Sequence, residues 1–245
     1  MIGKGLKKIL VLNGSPKCEA SATLTVTKAF VEGIKEILEC EIEYINISKL
    51  NIKPCLGCLS CWGRTAGECV IKDDDALMMK NKIDEADIVI ESFPLYFFGM
   101  PGILKLFTDR MMPMMMTYRG HKPPLDGSSF HGVRNPKNGR KFIIISSCAY
   151  TQADIVYDSL IQQLNCICGA NNYTAIFSPQ LKTLLDLNNE SKINRYLNKF
   201  KEAGKELAYN GCLKNETKEL LKKPPFSDGA YEIFLDNFWK GQSGE

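Results

Sequence analysis

Short unbroken apolar runs alternate along this chain with longer stretches in which apolar residues recur every three or four positions. The run "KKILVLNGSP" stays apolar until turn residues stop it, as a strand buried on both faces does. Behind it, Val26, Ala29, Phe30, Gly33, Ile34 and Ile37 fall on one helical stripe. "CEIEYINIS" alternates with a period of two, "DDDALMMKNKIDEA" reads as a short helix with an Asp cap, and "ADIVIESFP" as a third, fully buried strand. "PGILKLFTDRMM" has Pro in the first turn of a helix, and "KFIIISSC" is a fourth buried strand. "ADIVYDSLIQQLNCI" is helical, "NYTAIFSP" a short fifth strand, and "SKINRYLNKFKEAGKELAYNG" a last amphipathic helix.

Strands that alternate with helices imply an α/β fold, a doubly wound five-stranded parallel sheet of order 2-1-3-4-5 with helices on both faces. Residues 1–212 form this domain. Two stretches stand outside its frame. One is a cysteine-rich insertion after strand two, residues 53–72. The other is Met111 to Arg140, rich in Met, Pro, Gly and basic residues, where so long a stretch without periodicity is expected to be a lid or an interface. The tail, residues 213–245, has too few apolar residues to fold alone and is expected to pack on the domain or a partner subunit as a helical extension.

Composition narrows the partners. Of 245 residues, 44% are hydrophobic and 24% charged, and the net charge of +3 is too small to argue for nucleic acid or an anionic membrane. No apolar stretch approaches the roughly 18 residues of a membrane span, and the amino-terminal run lacks a cleavage pattern, so the expected location is cytoplasmic. Ten cysteines in a reducing compartment point to metal or redox chemistry rather than to a disulfide framework.

Ligands of doubly wound sheets bind at the carboxyl ends of the strands near the switch point, here strands one and three. Strand one ends in "NGSPKCEASAT". Gly14 permits a tight turn, while Ser15, Ser21 and Thr23 supply hydroxyls beside the amides of an opening helix, whose dipole favours an anion. Lys17 adds a point charge. The loop has neither the G-x-G-x-x-G of dinucleotide folds nor the Gly-Lys-Ser/Thr of a P-loop, so a terminal phosphate monoester fits it best. The competing reading is that Ser21 or Thr23 merely caps the helix. Strand three ends in "FPLYFFGMPGILKLFTDRM", where Tyr96, Phe97 and Phe98 follow Pro94 as a platform for a planar ring or, alternatively, as core or interface aromatics.

"NGSPK" with "SAT", "PLYFFGMPGILKLFTDR" and the strand order together resemble the NADPH-dependent FMN reductase branch of the flavodoxin-like superfamily, over roughly Lys7 to Ser178. The resemblance implies that Ser15, Lys17, Ser21 and Thr23 bind the FMN phosphate, with Ala22 where that family commonly has Asn. It implies that Pro94, Leu95, Tyr96, Phe97 and Phe98 lie along the isoalloxazine. Ser147 and Cys148, in the loop after strand four, are further ring contacts, although Cys148 reads equally as an inert buried thiol.

The segment "CLGCLSCWGRTAGEC" has the spacing C-x2-C-x2-C-x7-C. Two consecutive C-x2-C steps aim three sulfurs at one compact centre and a fourth arrives after a turn, which suits an iron–sulfur cluster; zinc, or no metal at all, are the competing readings. The pattern is similar to the compact motif of the iron–sulfur flavoproteins. That resemblance implies Cys55, Cys58, Cys61 and Cys69 as ligands of a [4Fe-4S] cluster close to FMN.

FMN accepts electrons in pairs and can release them singly, whereas such a cluster handles one at a time, so a protein holding both can split pairs. The leading expectation is an FMN oxidoreductase of the iron–sulfur flavoprotein type. It would move electrons between a reduced donor, NAD(P)H or ferredoxin-like, and a small acceptor, as a homodimer or dimer of dimers. The alternatives are an NAD(P)H-dependent flavin, quinone or nitro-compound reductase without a cluster, and a non-catalytic flavodoxin-like carrier. No side chain is assigned as a general base. His121, His131, Arg119 and Arg134 are read as solvated loop residues or as contacts for a nicotinamide phosphate. Met111, Met112, Met114, Met115 and Met116 are read as an adaptable subunit interface, and Asp73, Asp74 and Asp75 as a helix cap.

Overall fold

The computed structural model of the chain describes Ile2 and residues 5–117 and 129–243. Its sheet is built from β1 (Lys7–Asn13), β2 (Cys40–Asn46), β3 (Ile88–Pro94), β4 (Lys141–Cys148) and β5 (Thr174–Pro179), in the order β2-β1-β3-β4-β5. Every pairing is parallel, with Val11 opposite Tyr44 on one side and Ile90 on the other. This is the expected doubly wound topology.

Side-chain alternation splits the core into two layers. Ile9, Val11, Ile88, Ile90, Ile143 and Ile145 face α1 (Ala22–Lys35) and a long later helix, Glu190–Asn210. Leu10, Leu12, Val89, Phe93 and Ile144 face α2 (Ala76–Glu85), α3 (Gly102–Arg110) and the helix Asp158–Cys168. The stretch read as one helix after strand four is broken at Tyr157 into α4 (Ala153–Val156) and α5 (Asp158–Cys168). Tyr157 is fully buried, its ring stacked on Phe177 at 3.9 Å and its hydroxyl donating to Ser146, so tertiary packing overrides the continuous helical pattern.

After β5 come α6 (Leu181–Asp186) and α7 (Glu190–Asn210). Helices α1 and α7 meet backbone to backbone: a Cβ at Gly33 would lie 1.9 Å from Lys201 O, and one at Gly204 2.0 Å from Phe30 O. The helix read as last is followed by α8 (Asn215–Lys222) and α9 (Asp228–Ser243). Leu213, Leu221 and Tyr231 of this tail are buried, and Tyr231 donates its hydroxyl to Ala149 O, so the extension packs on its own domain. Among the described residues, no helix is long and apolar enough to cross a membrane.

The methionine run departs from expectation. Met114 is buried and Met111 packs beside it against the α2, α3 and α5 layer, while Met116 is exposed. Met111 and Met114 therefore serve this chain's own core. Strand β3 also carries an acid, Glu91, set between Leu12 and Ile144 and facing that same apolar layer. Its Oε2 is buried without a hydrogen-bond partner, and burial pushes its carboxyl up to about 7.

A raised carboxyl binds its proton more tightly folded than unfolded, so its contribution to stability is intact below about 4.5 and is lost as pH rises towards 7. Glu91→Gln should remove this loss, gaining up to roughly 3 kcal/mol over wild type at pH 8 and little at pH 4. Paired denaturant titrations across that range check it; equal gains at both pH values would contradict it.

Candidate functional site

Asn13, at the end of β1, shapes the first loop. Its Nδ2 donates to Cys18 O at 2.9 Å and to Asn46 Oδ1 at 2.7 Å, while its Oδ1 accepts from Ser15 N at 3.2 Å. Ser15 Oγ in turn accepts from Lys17 N, and Ser21 is the N-cap of α1, accepting from Leu24 N. Ser15, Ser21 and Thr23 are buried, Ala22 half-buried, and Lys17 exposed. The amides of Ala22 and Thr23, in the first turn of α1, have no carbonyl four residues back to bond. A short loop that presents such amides beside buried hydroxyls is chemically suited to a phosphate.

Ser147 ties this loop to the exit of β3. Its Oγ shares a 2.6 Å hydrogen bond with Thr23 Oγ1, and its carbonyl accepts from Leu95 N at 2.8 Å. Ser147 lies in β4 rather than in the loop after it, and the first turn of α1 and the exit of β3 thus converge on it. Either hydroxyl can donate in this tie, and the one that accepts keeps its own hydrogen for another partner.

Beyond Leu95 the chain makes a tight turn closed at both ends, with Tyr96 N donating to Gly99 O and Gly99 N to Tyr96 O, each at 3.0 Å. Phe97 and Phe98 between them have φ of 47° and 65°, the left-handed conformation that two-residue turns of this kind normally give to Asn and Gly. Ser159 Oγ donates to Phe98 O, and Phe98 stacks on Tyr150 at 5.7 Å. Phe97 is 99% exposed, and Tyr96 and Phe98 are exposed beside it. Backbone strain and solvent-facing aromatic surface at one spot suit a planar ligand better than a core role. Pro94 and Leu95 hold the base of the turn. Cys148 is buried in the apolar layer, and burial pushes its thiol up.

The cysteine loop lies beside the ends of α2 and α3. Cys55, Cys58, Cys61 and Cys69 are free thiols that line one pocket with Leu56, Val70 and Met112. Burial pushes the Cys61 thiol up, and Cys69, Cys55 and Cys58 add to the shift. Hydrogen bonds from Ser60 draw Cys58 down. No three His, Cys, Asp or Glu side chains among the described residues converge as a single-ion site.

The sequence reading passed over the groups that hold this loop. Asp74 and Arg110 form a buried ion pair, their side chains 0% and 1% exposed. Arg110 Nη1 also donates to Lys53 O at 2.7 Å, and Nη2 reaches Cys69 Sγ at 3.5 Å. Asp74 accepts from Lys53 N and Ala76 N; burial alone would raise its carboxyl, but these bonds and Arg110 hold it below its usual value. Asp75 accepts from Asn51 N and Asp73 pairs with Lys53, and Asp75, the N-cap of α2, makes no side-chain capping bond, so the acids expected to cap the helix chiefly fasten the loop. The visible signal was "DDD" with "TDR" far downstream, which local patterns alone do not pair.

The second insertion clasps the same loop. Arg134 Nε donates to Pro113 O, and its Nη2 to Cys61 O and Met115 O. Trp62 Nε1 donates to Met112 O, and its ring lies 4.6 Å from that of His131. Arg134 is half-buried and directs Nε and Nη2 to these backbone carbonyls. Arg119 and His121 lie outside the described residues.

A family model described as a flavodoxin-like fold, Flavodoxin_2, matches residues 7–202. An iron–sulfur flavoprotein of Clostridioides difficile is 29% identical over 129 residues, 53% of this chain and 56% of that protein. One from Methanocaldococcus jannaschii is 34% identical over 112 residues, 46% of this chain and 55% of that protein. The chain thus matches little more than half the length of these relatives. A solved FMN-dependent NADH-azoreductase of Bacillus anthracis in complex with FMN superposes with a TM-score of 0.58 at 21% identity, covering 82% of this chain and 99% of that one.

Asp74→Asn should leave the Arg110 charge buried without its counter-ion and cost about 3–5 kcal/mol. It should also open residues 53–72 to protease. Chemical denaturation and mapping of the first cleavage sites check both; unchanged stability would show that the pair does not anchor the loop.

Proposed function

The chain belongs to the Flavodoxin_2 family, and on that membership we propose that it is an FMN-dependent oxidoreductase of the iron–sulfur flavoprotein type. It moves electrons between NAD(P)H, or a ferredoxin-like donor, and a small acceptor. The observation that carries the FMN part is the convergence of the first turn of α1 and the ends of β3 and β4 at Ser147. Ser15, Lys17, Ser21, Ala22 and Thr23 would hold the phosphate through hydroxyls, first-turn amides and one cation. Pro94, Leu95, Tyr96, Phe97 and Phe98, with Ser147 and neighbouring Cys148, would flank the ring. Bound there, FMN supplies two-electron acceptance and one-electron release.

Four thiols lining a single pocket, with a buried cation in contact, support a [4Fe-4S] centre at Cys55, Cys58, Cys61 and Cys69, which supplies one-electron transfer. The iron–sulfur flavoproteins among the relatives support the same reading. The reading includes assembly as a dimer or dimer of dimers, in which the exposed Phe97 would be covered.

Protein purified without oxygen should show flavin bands and a broad iron–sulfur absorbance, with about four iron and four sulfide per chain. Flavin without iron after reconstitution would leave the reductase lacking a cluster, and neither chromophore would sink the proposal. Ser15→Asp should weaken FMN binding at least tenfold by placing a carboxylate against the phosphate. Flavin fluorescence titration reads it, and unchanged affinity would refute the phosphate site.

A further inference from the structure

We propose that Arg110 poises the reduction potential of the four-cysteine site, through a hydrogen bond to Cys69 and a buried positive charge held against it. The inference rests on reading that site as an iron–sulfur centre. Arg110 sits at the end of α3, far in sequence from the cysteines, and its side chain is 1% exposed. The end-on edge of the guanidinium meets Asp74: Nη1 bonds Oδ2 and Nη2 bonds Oδ1 at 3.2 Å. The side edge, made of Nε and Nη2, is the one that reaches Cys69 Sγ, at 3.5 Å from Nη2. Nε on that edge is buried with no partner.

A buried N–H without an acceptor is costly, and one on the edge that already touches a sulfur is matched to an acceptor at the sulfur site. A thiolate or an inorganic sulfide provides it. A neutral thiol sulfur is only a weak acceptor for this donor. Because Asp74 occupies the end-on edge, the adjacent side edge, with its N–H groups, is the one that meets Cys69.

The consequence follows from charge. One electron added to an iron–sulfur group held by these four thiolates would make the site one unit more negative, with no bond formed or broken. A buried cation and N–H···S hydrogen bonds stabilise the more negative state, so both raise the potential. Arg110 is thus a positioning and potential-setting residue. Lys cannot replace it, since one ammonium cannot fork to Asp74 and to the sulfur together.

The test compares wild type, Arg110→Lys, and the double variant Arg110→Met with Asp74→Asn, which leaves no buried charge unpaired. Each is purified without oxygen and reconstituted. Iron, sulfide and FMN are then counted, and the iron–sulfur and flavin signals are titrated spectroelectrochemically. All three should carry iron and FMN. In the double variant the reduced-to-oxidised ratio of the iron–sulfur signal at fixed poise should fall about tenfold, a midpoint lower by about 59 mV for one electron. Arg110→Lys should fall between, and the flavin midpoint should stay put. Equal iron–sulfur midpoints in iron-bearing wild type and double variant overturn the inference and leave the iron–sulfur reading standing. Loss of iron from both variants with FMN retained overturns it in favour of a purely structural tether. Iron-free wild type overturns both the inference and the reading beneath it.

Discussion

The ion pair between Asp74 and Arg110 joins the start of α2, the end of α3 and the first residues of the cysteine loop. Burying two charges is expensive, and their attraction repays the cost only when further hydrogen bonds satisfy what remains of each. Here Lys53 supplies both an amide for Asp74 and a carbonyl for Arg110, and Ala76 supplies a second amide. The loop is thereby not hung on its cysteines. Its entry is fixed by charge, its middle is clasped by Trp62 and Arg134, and its four sulfurs line the pocket that these fastenings leave.

The flavin-like side of the molecule is organised by a different economy, built on neutral groups. Ser147 joins Thr23 and Leu95, Thr27 joins Ser92 and the Thr23 carbonyl, and Asn13 joins Asn46 and Cys18. These bonds let a crowded turn hold Phe97 and Phe98 in a backbone conformation that bulky residues avoid. Strain of that kind persists only where the surroundings over-determine it. Here the turn is pinned by paired bonds between Tyr96 and Gly99, by Ser159, and by the stack of Phe98 on Tyr150.

The sheet order and both candidate loops were legible because they rest on local signals: apolar periodicity, turn residues at strand ends, and cysteine spacing. What escaped notice rests on pairings across long stretches of sequence. An arginine at a helix carboxyl end reads as a solvated partner of the macrodipole, and a run of Asp before a helix reads as a cap. Only the fold brings Arg110 to Asp74 and Cys69. Tyr157 broke a helix for the sake of packing on Phe177, Met111 and Met114 turned inward, and Glu91 hid in a strand whose apolar neighbours masked it. Each is a tertiary decision with no local counterpart.

Helix α3 is what makes the two candidate sites one device. It leaves the aromatic turn at Pro101, and Leu104 then passes so close to the first loop that a Cβ at Gly14 would lie 2.8 Å from its Cδ2. Six residues later, about 9 Å along the axis, Arg110 reaches Cys69. The phosphate-type loop, the aromatic turn and the cysteine loop are therefore spaced by a single rigid element of nine residues. Gly14 is needed there for room, since a Cβ would also meet Leu104 Cβ at 3.0 Å and Cγ at 3.2 Å, so that Leu104 would have to turn or α3 to shift and carry Arg110 with it. The same displacement would strain the pair with Asp74, so the geometry of the first loop and the charge beside the cysteines are not independent variables in this fold.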